Sequence, residues 1–292
     1  MPVTPVSVVV VSRNRPDYLR RCLTALGQLE FPAFEVIVVA CPSGASVANQ
    51  KALPCDLSVL EFDKANISEA RNIGIAHARG DVVAFMDDDA VPEPTWLAHL
   101  TIPFEDDCVA QSGGTTLGRN GISVQYAAAQ VDGFGVTHPV SVAGTSPVRL
   151  ETEPDLVPRL HGTNMAVRRD VLLAHDGFDQ RFRFYLDETD LSRRIALAGG
   201  GTVYVPNAVV HHASGPSVMR RSDRTPRHLF EIGASGAVFH KKHAGTGTQE
   251  DARNALFDDR WTWLLRHMQK GTLTPDDVHR LFRELVSGYE DG

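Results

Sequence analysis

The sequence has little cysteine: Cys22, Cys41, Cys55 and Cys108 are the only four in 292 residues, and no two form a Cys-x-x-Cys pair. That argues against a disulfide framework and suits reduced thiols in a cytosolic protein. No apolar run reaches the roughly 18 to 20 residues that a membrane span needs. The opening Met1-Pro2-Val3-Thr4-Pro5 has neither a basic segment nor a cleavage site, so it does not read as a signal peptide. Basic excess is also missing. Lys plus Arg number 29 against 36 Asp plus Glu, a net charge of −7, which argues against a general nucleic-acid binder. There is no internal repeat and no low-complexity tract. What remains is ordinary: 42% hydrophobic and 22% charged residues, in a length that suits one large domain or two tightly joined ones with a sizeable core. Composition predicts a globular cytoplasmic protein and is silent on activity.

The first half reads as repeated strand–helix units. Val6 to Val11 is a β-branched apolar run, as expected of a strand buried on both faces of a parallel sheet. Pro16 opens a helix through Tyr18, Leu19, Cys22, Leu23 and Leu26, with Gly27 as its stop. Val36–Val39 and Leu57–Leu60 are further strands. Ser68 caps a helix that Gly80 ends, and 81–86 is another buried strand. Pro92-Glu93-Pro94 opens the next helix at Trp96. This rhythm implies right-handed crossovers and an open α/β sheet. After about Gly113 it breaks, and 115–160 reads as irregular structure with one excursion from the sheet. The pattern resumes at 162–167, with helices from Arg169 and from about Glu188 to Ala198, and a strand at 202–205. Residues 218–228 hold Arg220, Arg221, Arg224 and Arg227 and read as a basic mobile loop. Two helices finish the chain, the last capped by Thr274 with Pro275, Asp276 and Asp277 in its first turn. The cluster Trp261, Trp263, Leu264, Leu265 and Met268 reads as packing against the body, with a lipid surface or another subunit as the alternative.

Asp87, Asp88 and Asp89 follow the strand ending at Met86 directly. Ligands of open α/β sheets bind beyond the carboxyl ends of the strands. Three adjacent carboxylates repel unless something positive lies among them, and a hard divalent cation with phosphate oxygens is the natural partner. Side chains alternate along extended backbone, so Asp87 and Asp89 share a side. The bland alternative is a solvated acidic turn.

Seven segments, in order, resemble the family 2 glycosyltransferases, inverting enzymes of the GT-A fold. They are VVVVSRNR (8–15), EVIVV (35–39), ARNIG (70–74), GDVVAFMDDDAVPEPTWL (80–97), GTNMAVR (162–168), DETDLSR (187–193) and YVPNAVVHH (204–212). The resemblance implies a GT-A, Rossmann-like sheet, mostly parallel, flanked by helices and followed by C-terminal helices. It divides the chain into a domain at 1–217, with a nucleotide-sugar half at 1–114 and an acceptor half at 115–217, and a basic loop with packed helices at 218–292. It implies transfer of a sugar from a nucleotide diphosphate sugar, UDP-sugars first and dTDP- or GDP-sugars next, to a glycan, lipid-linked or small-molecule hydroxyl, as in cell-surface polysaccharide biosynthesis. Peripheral association with the inner face of a membrane and a homo-oligomer are compatible with it.

The same resemblance assigns roles. Asp89 is a ligand of Mg²⁺ or Mn²⁺, with Asp87 and one of His211 and His212. Asp87 and Asp88 face the ribose or support the site. Val11, Ser12, Arg13, Arg15 and Arg71 line the nucleotide, although Arg13 serves equally as a structural ion-pair residue. Glu188 is the favoured catalytic base and Asp187 the alternative, because the usual Glu-Asp order is reversed. Thr163, Asn164 and Asp190 fall on the acceptor side, where a hydrogen-bonded strand edge is the competing reading of the first two. Ala40-Cys41-Pro42-Ser43 replaces the family's usual Asp-Asn-x-Ser, so an acid near the nucleobase is gone. A metal cation would reconcile an acidic site with an anionic substrate. Two readings compete. A nucleotidyltransferase or metal-dependent phosphoesterase on a related sheet would usually carry a glycine-rich basic loop, which 12–16 lacks. A non-catalytic sugar-nucleotide or glycan-binding relative sits poorly with Asp89, Glu188 and the histidine pair all present.

Overall fold

The computed structural model describes residues 4–292. The signal-peptide reading of Met1–Pro5 falls largely on residues outside that range.

The N-terminal half is the expected α/β alternation. β1 (Val6–Ser12) is followed by α1 (Pro16–Leu26), β2 (Phe34–Ala40), α2 (Pro42–Asn49), β3 (Asp56–Glu61), α3 (Ile67–His77) and β4 (Val82–Asp87). β1 lies parallel between β2 and β4, and β3 adds in parallel outside β2. Val8 and Val10 face one apolar cluster and Val9 the other, so β1 is buried on both sides. Pro16 is the first residue of α1, and Gly27 ends it. In α3 the cap is Asn66, whose side chain accepts the Glu69 N–H, rather than Ser68. The Ser68 hydroxyl instead donates to the Phe182 carbonyl.

Beyond β4 the sheet becomes mixed. α4 (Trp96–Thr101) starts at Trp96 as expected, preceded by an unexpected short strand, β5 (Ala90–Pro92). β6 (Val109–Leu117) was not expected. It carries Gly113 and Gly114, and a Cβ on Gly114 would strike the Ala208 carbonyl. Those glycines mark close backbone approach within a strand, not its end. Residues 115–160 hold β7 (Val124–Tyr126), β8 (Ala129–Val131), β9 (Thr137–Pro139), β10 (Val148–Leu150) and β11 (Val157–Arg159), with β11-β8-β9 forming a small sheet of their own. β12 (Met165–Arg168) leads into α5 (Arg169–Ala174), then α6 (Asp187–Leu197) and β13 (Gly201–His212). The main sheet runs β10-β13-β6-β12-β4-β1-β2-β3, with β12 antiparallel to both its neighbours.

Three helices, not two, close the chain: α7 (Phe230–His243), α8 (Gln249–Gln269) and α9 (Pro275–Asp291). Gly233 and Gly236 make α7 hard to read from sequence. In the fold, Gly233 lies against the backbone of Leu285 and Tyr289, where α9 crosses. Trp261, Trp263, Leu265 and Met268 pack around buried Leu264, Leu281 and Leu285. Thr274 caps α9 in a reciprocal pair with Asp277. Thr274→Ala is expected to cost about 1 kcal/mol, read as a lowered denaturant midpoint at unchanged slope. Among the described residues, no helix is long and apolar enough to cross a membrane.

Candidate functional site

Two sheet segments build the acidic cluster. β4 delivers Asp87 to its carboxyl end, the chain turns through Asp88 and Asp89, and β5 then pairs with the end of β13. That register sets His212 opposite Ala90 and His211 opposite Val91. Neighbouring strand residues face opposite ways, so only one histidine can turn to the aspartates. It is His212, whose Nε2 lies 3.2 Å from Asp89 Oδ1 and 3.8 Å from Asp87 Oδ2. His211 turns away, with Nε2 2.5 Å from Glu93 Oε1.

The three carboxylates have different surroundings. Asp88 is fully buried, accepts the Ser12 hydroxyl at 2.7 Å and pairs with Arg15. Burial outweighs the pull of Arg15 and pushes its carboxyl up to about 7. Burial would raise Asp89 too, but His212, Arg15 and the Gly215 N–H together hold it below the usual carboxylate range. Its Oδ2 takes the Gly215 N–H at 2.6 Å and Arg15 Nη1 at 3.0 Å, and Arg220 Nη2 lies at 3.7 Å. Asp89 Oδ1 is buried, and its contact with His212 misses hydrogen-bond geometry, leaving it without a donor. One ligand atom from each of Asp87, Asp89 and His212 lies within 4.8 Å of the others. Two carboxylates and an imidazole, one carboxylate oxygen unpartnered, fit a hard divalent cation. A pocket of about 160 Å³ opens here, lined by Asp88, Asp89, His211, His212, Arg21 and Arg119.

A second acidic group stands at the start of α6. Leu186 precedes it with φ +64°, a left-handed backbone that a leucine holds only under constraint. Its buried side chain packs with Phe182, Val238 and Phe239. Asp187 and Glu188 thus enter the first helical turn in a fixed direction. Asp187 is buried and pairs with Arg71, whose other nitrogen lies 3.3 Å from Asp87. Arg71 therefore stands between the two acidic groups, with its guanidinium over the Phe178 ring. Gly162 closes over it, since a Cβ there would overlap the guanidinium. Glu188 keeps 17% of its side chain exposed, and its nearest cation is Arg159 at 4.0 Å. Burial first, and then the Asp187 charge, push the Glu188 carboxyl up to about 8.

The remaining expected residues are placed as follows. Arg13 pairs with Asp63 at 3.0 Å on the surface, the structural alternative for that side chain. Val11 and Ser12 end β1, level with Asp87. Asn164 is buried, its Oδ1 accepting from Trp96 Nε1 and its Nδ2 donating to the carbonyls of Thr115 and Ala208, the hydrogen-bonded alternative for that residue. Thr163 is buried with an unpartnered hydroxyl. Asp190 is fully buried among Arg194 at 2.8 Å, Lys242 at 2.6 Å and His243 at 2.8 Å, tying α6 to α7 rather than facing a ligand. Cys41 starts α2, and its sulfur accepts the Asn14 N–H at 3.2 Å. The basic loop is irregular but tied, through an Arg220–Pro226 bridge and Arg220 Nε to the Gly215 carbonyl at 3.0 Å. Sequence reasoning missed Arg159, which faces Glu188, and His161, which lies near Arg159 and His212. The GTNMAVR segment began one residue after His161 and three after Arg159.

Strands delivering an acidic turn and a histidine to one sheet edge, with carboxylates at a helix start nearby, make the GT-A arrangement. The fold matches the mannosyltransferase PcManGT from Pyrobaculum calidifontis, solved with GDP-Man and Mn²⁺, with a TM-score of 0.58 at 17% identity, covering 100% of this chain and 87% of that one. It also matches S. aureus TarS in complex with UDP-GlcNAc, with a TM-score of 0.58 at 14% identity, covering 98% and 88%. The chain belongs to glycosyl transferase family 2, whose family model matches residues 7–175. Similar curated proteins include the O-antigen biosynthesis protein RfbC of Myxococcus xanthus, 26% identical over 76% of this chain and 18% of that protein. Another is the pre-mycofactocin glycosyltransferase of Mycobacterium tuberculosis, 29% identical over 71% of this chain and 42% of that protein. The chain thus spans less than half the length of these two relatives.

Proposed function

We propose that this chain transfers a sugar from a nucleotide diphosphate sugar to an acceptor hydroxyl, with inversion at the anomeric carbon. The observation that carries the reading is the pairing of two acidic groups through Arg71, one suited to a cation and the other holding a carboxyl that can take a proton. In this reading residues 1–114 hold the donor, 115–217 the acceptor, and 218–292 pack on the same body.

Asp87, Asp89 and His212 would hold Mg²⁺ or Mn²⁺. The cation would supply charge neutralisation for the leaving diphosphate. Glu188 takes the proton of the acceptor hydroxyl. The acceptor oxygen bonds to the anomeric carbon as the bond from that carbon to the phosphate oxygen breaks, and the nucleoside diphosphate leaves with the electron pair. Asp187 stays paired to Arg71, which separates the roles of the two neighbouring acids and favours Glu188 as the base. Arg15 and Arg220, already beside Asp89, are placed to meet the negative charge of the diphosphate.

Bound ligand raises apparent stability. A melting panel of UDP, GDP and dTDP, with and without Mn²⁺, should show a metal-dependent rise for at least one nucleotide. Asp89→Ala and His212→Ala should remove the metal-dependent part, whereas His211→Ala should keep it. A chain that melts identically with every nucleotide and metal would sink the proposal.

A further inference from the structure

Between the two acidic groups lies an aromatic pair that none of the roles above uses. The His161 and Tyr126 rings stack with centroids 3.9 Å apart and planes 15° from parallel. Chain geometry fixes where they sit. Arg159, two residues before His161, faces Glu188 at 4.0 Å. Gly162, one residue after it, lies against the Arg71 guanidinium. On the other ring's side, Gln125 bonds to Ser214, two residues past His212, at 3.1 Å. The His161 ring thus lies between Arg159, the cation that faces Glu188, and His212. Both rings are only half-buried, and the His161 ring makes no hydrogen bond within the described residues. Burial first, and then the charge of Arg159, hold the imidazole well below its ordinary pKa, so it is neutral and offers one donor and one acceptor.

We propose that His161, held by its stack on Tyr126 beside Arg159 and Glu188, forms an acceptor subsite that binds a saccharide hydroxyl. A neutral imidazole, a guanidinium and a carboxyl in one half-buried spot make the mixed donor–acceptor set that a polyhydroxylated ring satisfies and an alkyl alcohol does not. His161 orients the hydroxyl toward Glu188, and Tyr126 is the positioning residue that fixes the imidazole plane. The inference rests on the transferase reading above.

The test measures nucleoside diphosphate release in Mn²⁺ from the donor that the melting panel selects, with methyl and p-nitrophenyl glycosides as acceptor probes. His161→Phe keeps an aromatic ring on Tyr126 and removes the ring nitrogens. It should raise the glycoside KM about three- to tenfold, the worth of one hydrogen bond, while the donor KM moves less than twofold. Tyr126→Leu should shift it in the same direction. In the unaltered chain, the same glycosides should move the His161 ring-proton resonances. An unchanged glycoside KM in His161→Phe, a donor KM that rises equally, or a silent His161 ring overturns the subsite. If metal-dependent nucleotide binding is present but no glycoside accelerates release, the saccharide assignment falls and the transferase reading stands. If no nucleotide binds, both fall.

Discussion

Glu188→Gln is expected to lower transfer by about 10²- to 10⁴-fold, the usual worth of a positioned general base, while leaving metal-dependent nucleotide binding in place. The amide keeps the size of the side chain and cannot take a proton. The pH dependence makes the prediction sharper. The Glu188 carboxyl stands at about 8 because burial and Asp187 disfavour its charge. A base works only when ionised, so kcat/KM should climb as pH rises through about 8 and level off above it. That acid limb should be missing from the residual activity of Glu188→Gln. Asp187→Asn is the control for the reversed order of the two acids. If it abolishes transfer while Glu188→Gln keeps full activity, the base is Asp187.

The second large effect is on stability. Arg71 is 4% exposed, pairs with Asp187 and lies 3.3 Å from Asp87. Arg71→Met would leave the buried Asp187 carboxylate without its cation and take the same cation from partly exposed Asp87. Breaking a buried pair in this way costs about 3–5 kcal/mol, which for a chain of this size lowers the melting temperature by roughly 10 °C. Arg71→Lys should recover only part of the loss, because an ammonium does not offer the guanidinium's planar fork to two acids at once. Calorimetry decides it: a melting point for Arg71→Met within 2 °C of the unaltered chain would mean the bridge adds nothing.

The parts of the site legible in sequence are those made by chain order. Val82 to Asp89 shows both a strand and the charge at its end, because burial on two faces leaves a continuous apolar run that stops abruptly. His211 and His212 were legible as a pair. Which one serves needed the β5–β13 register, a pairing across more than a hundred residues that no local pattern carries. The role of Arg71 was hidden for the same reason, since Asp187 lies 116 residues away. β6 escaped because the rhythm was read as breaking at Gly113, and α7 because Gly233 and Gly236 weaken its helical pattern. Gly114 makes room for the Ala208 carbonyl, and Gly233 for the α9 backbone. The irregular reading of 115–160 missed five short strands, which have too few residues for any period to show.

The crossing of α7 and α9 links the far end of the chain to the chemistry. Gly233 faces the Leu285 carbonyl, and Gly288 faces the Phe230 carbonyl, so the two helices touch backbone to backbone. Further along α7, Lys242 and His243 grip Asp190, three residues into the helix that begins with Asp187. α7 is in effect a lever, with its fulcrum at the glycines and its working end on the base-bearing helix. A methyl group wedged at the fulcrum would tilt the lever, so a change on the outer helices, far from any substrate, can be felt as a misaligned proton transfer.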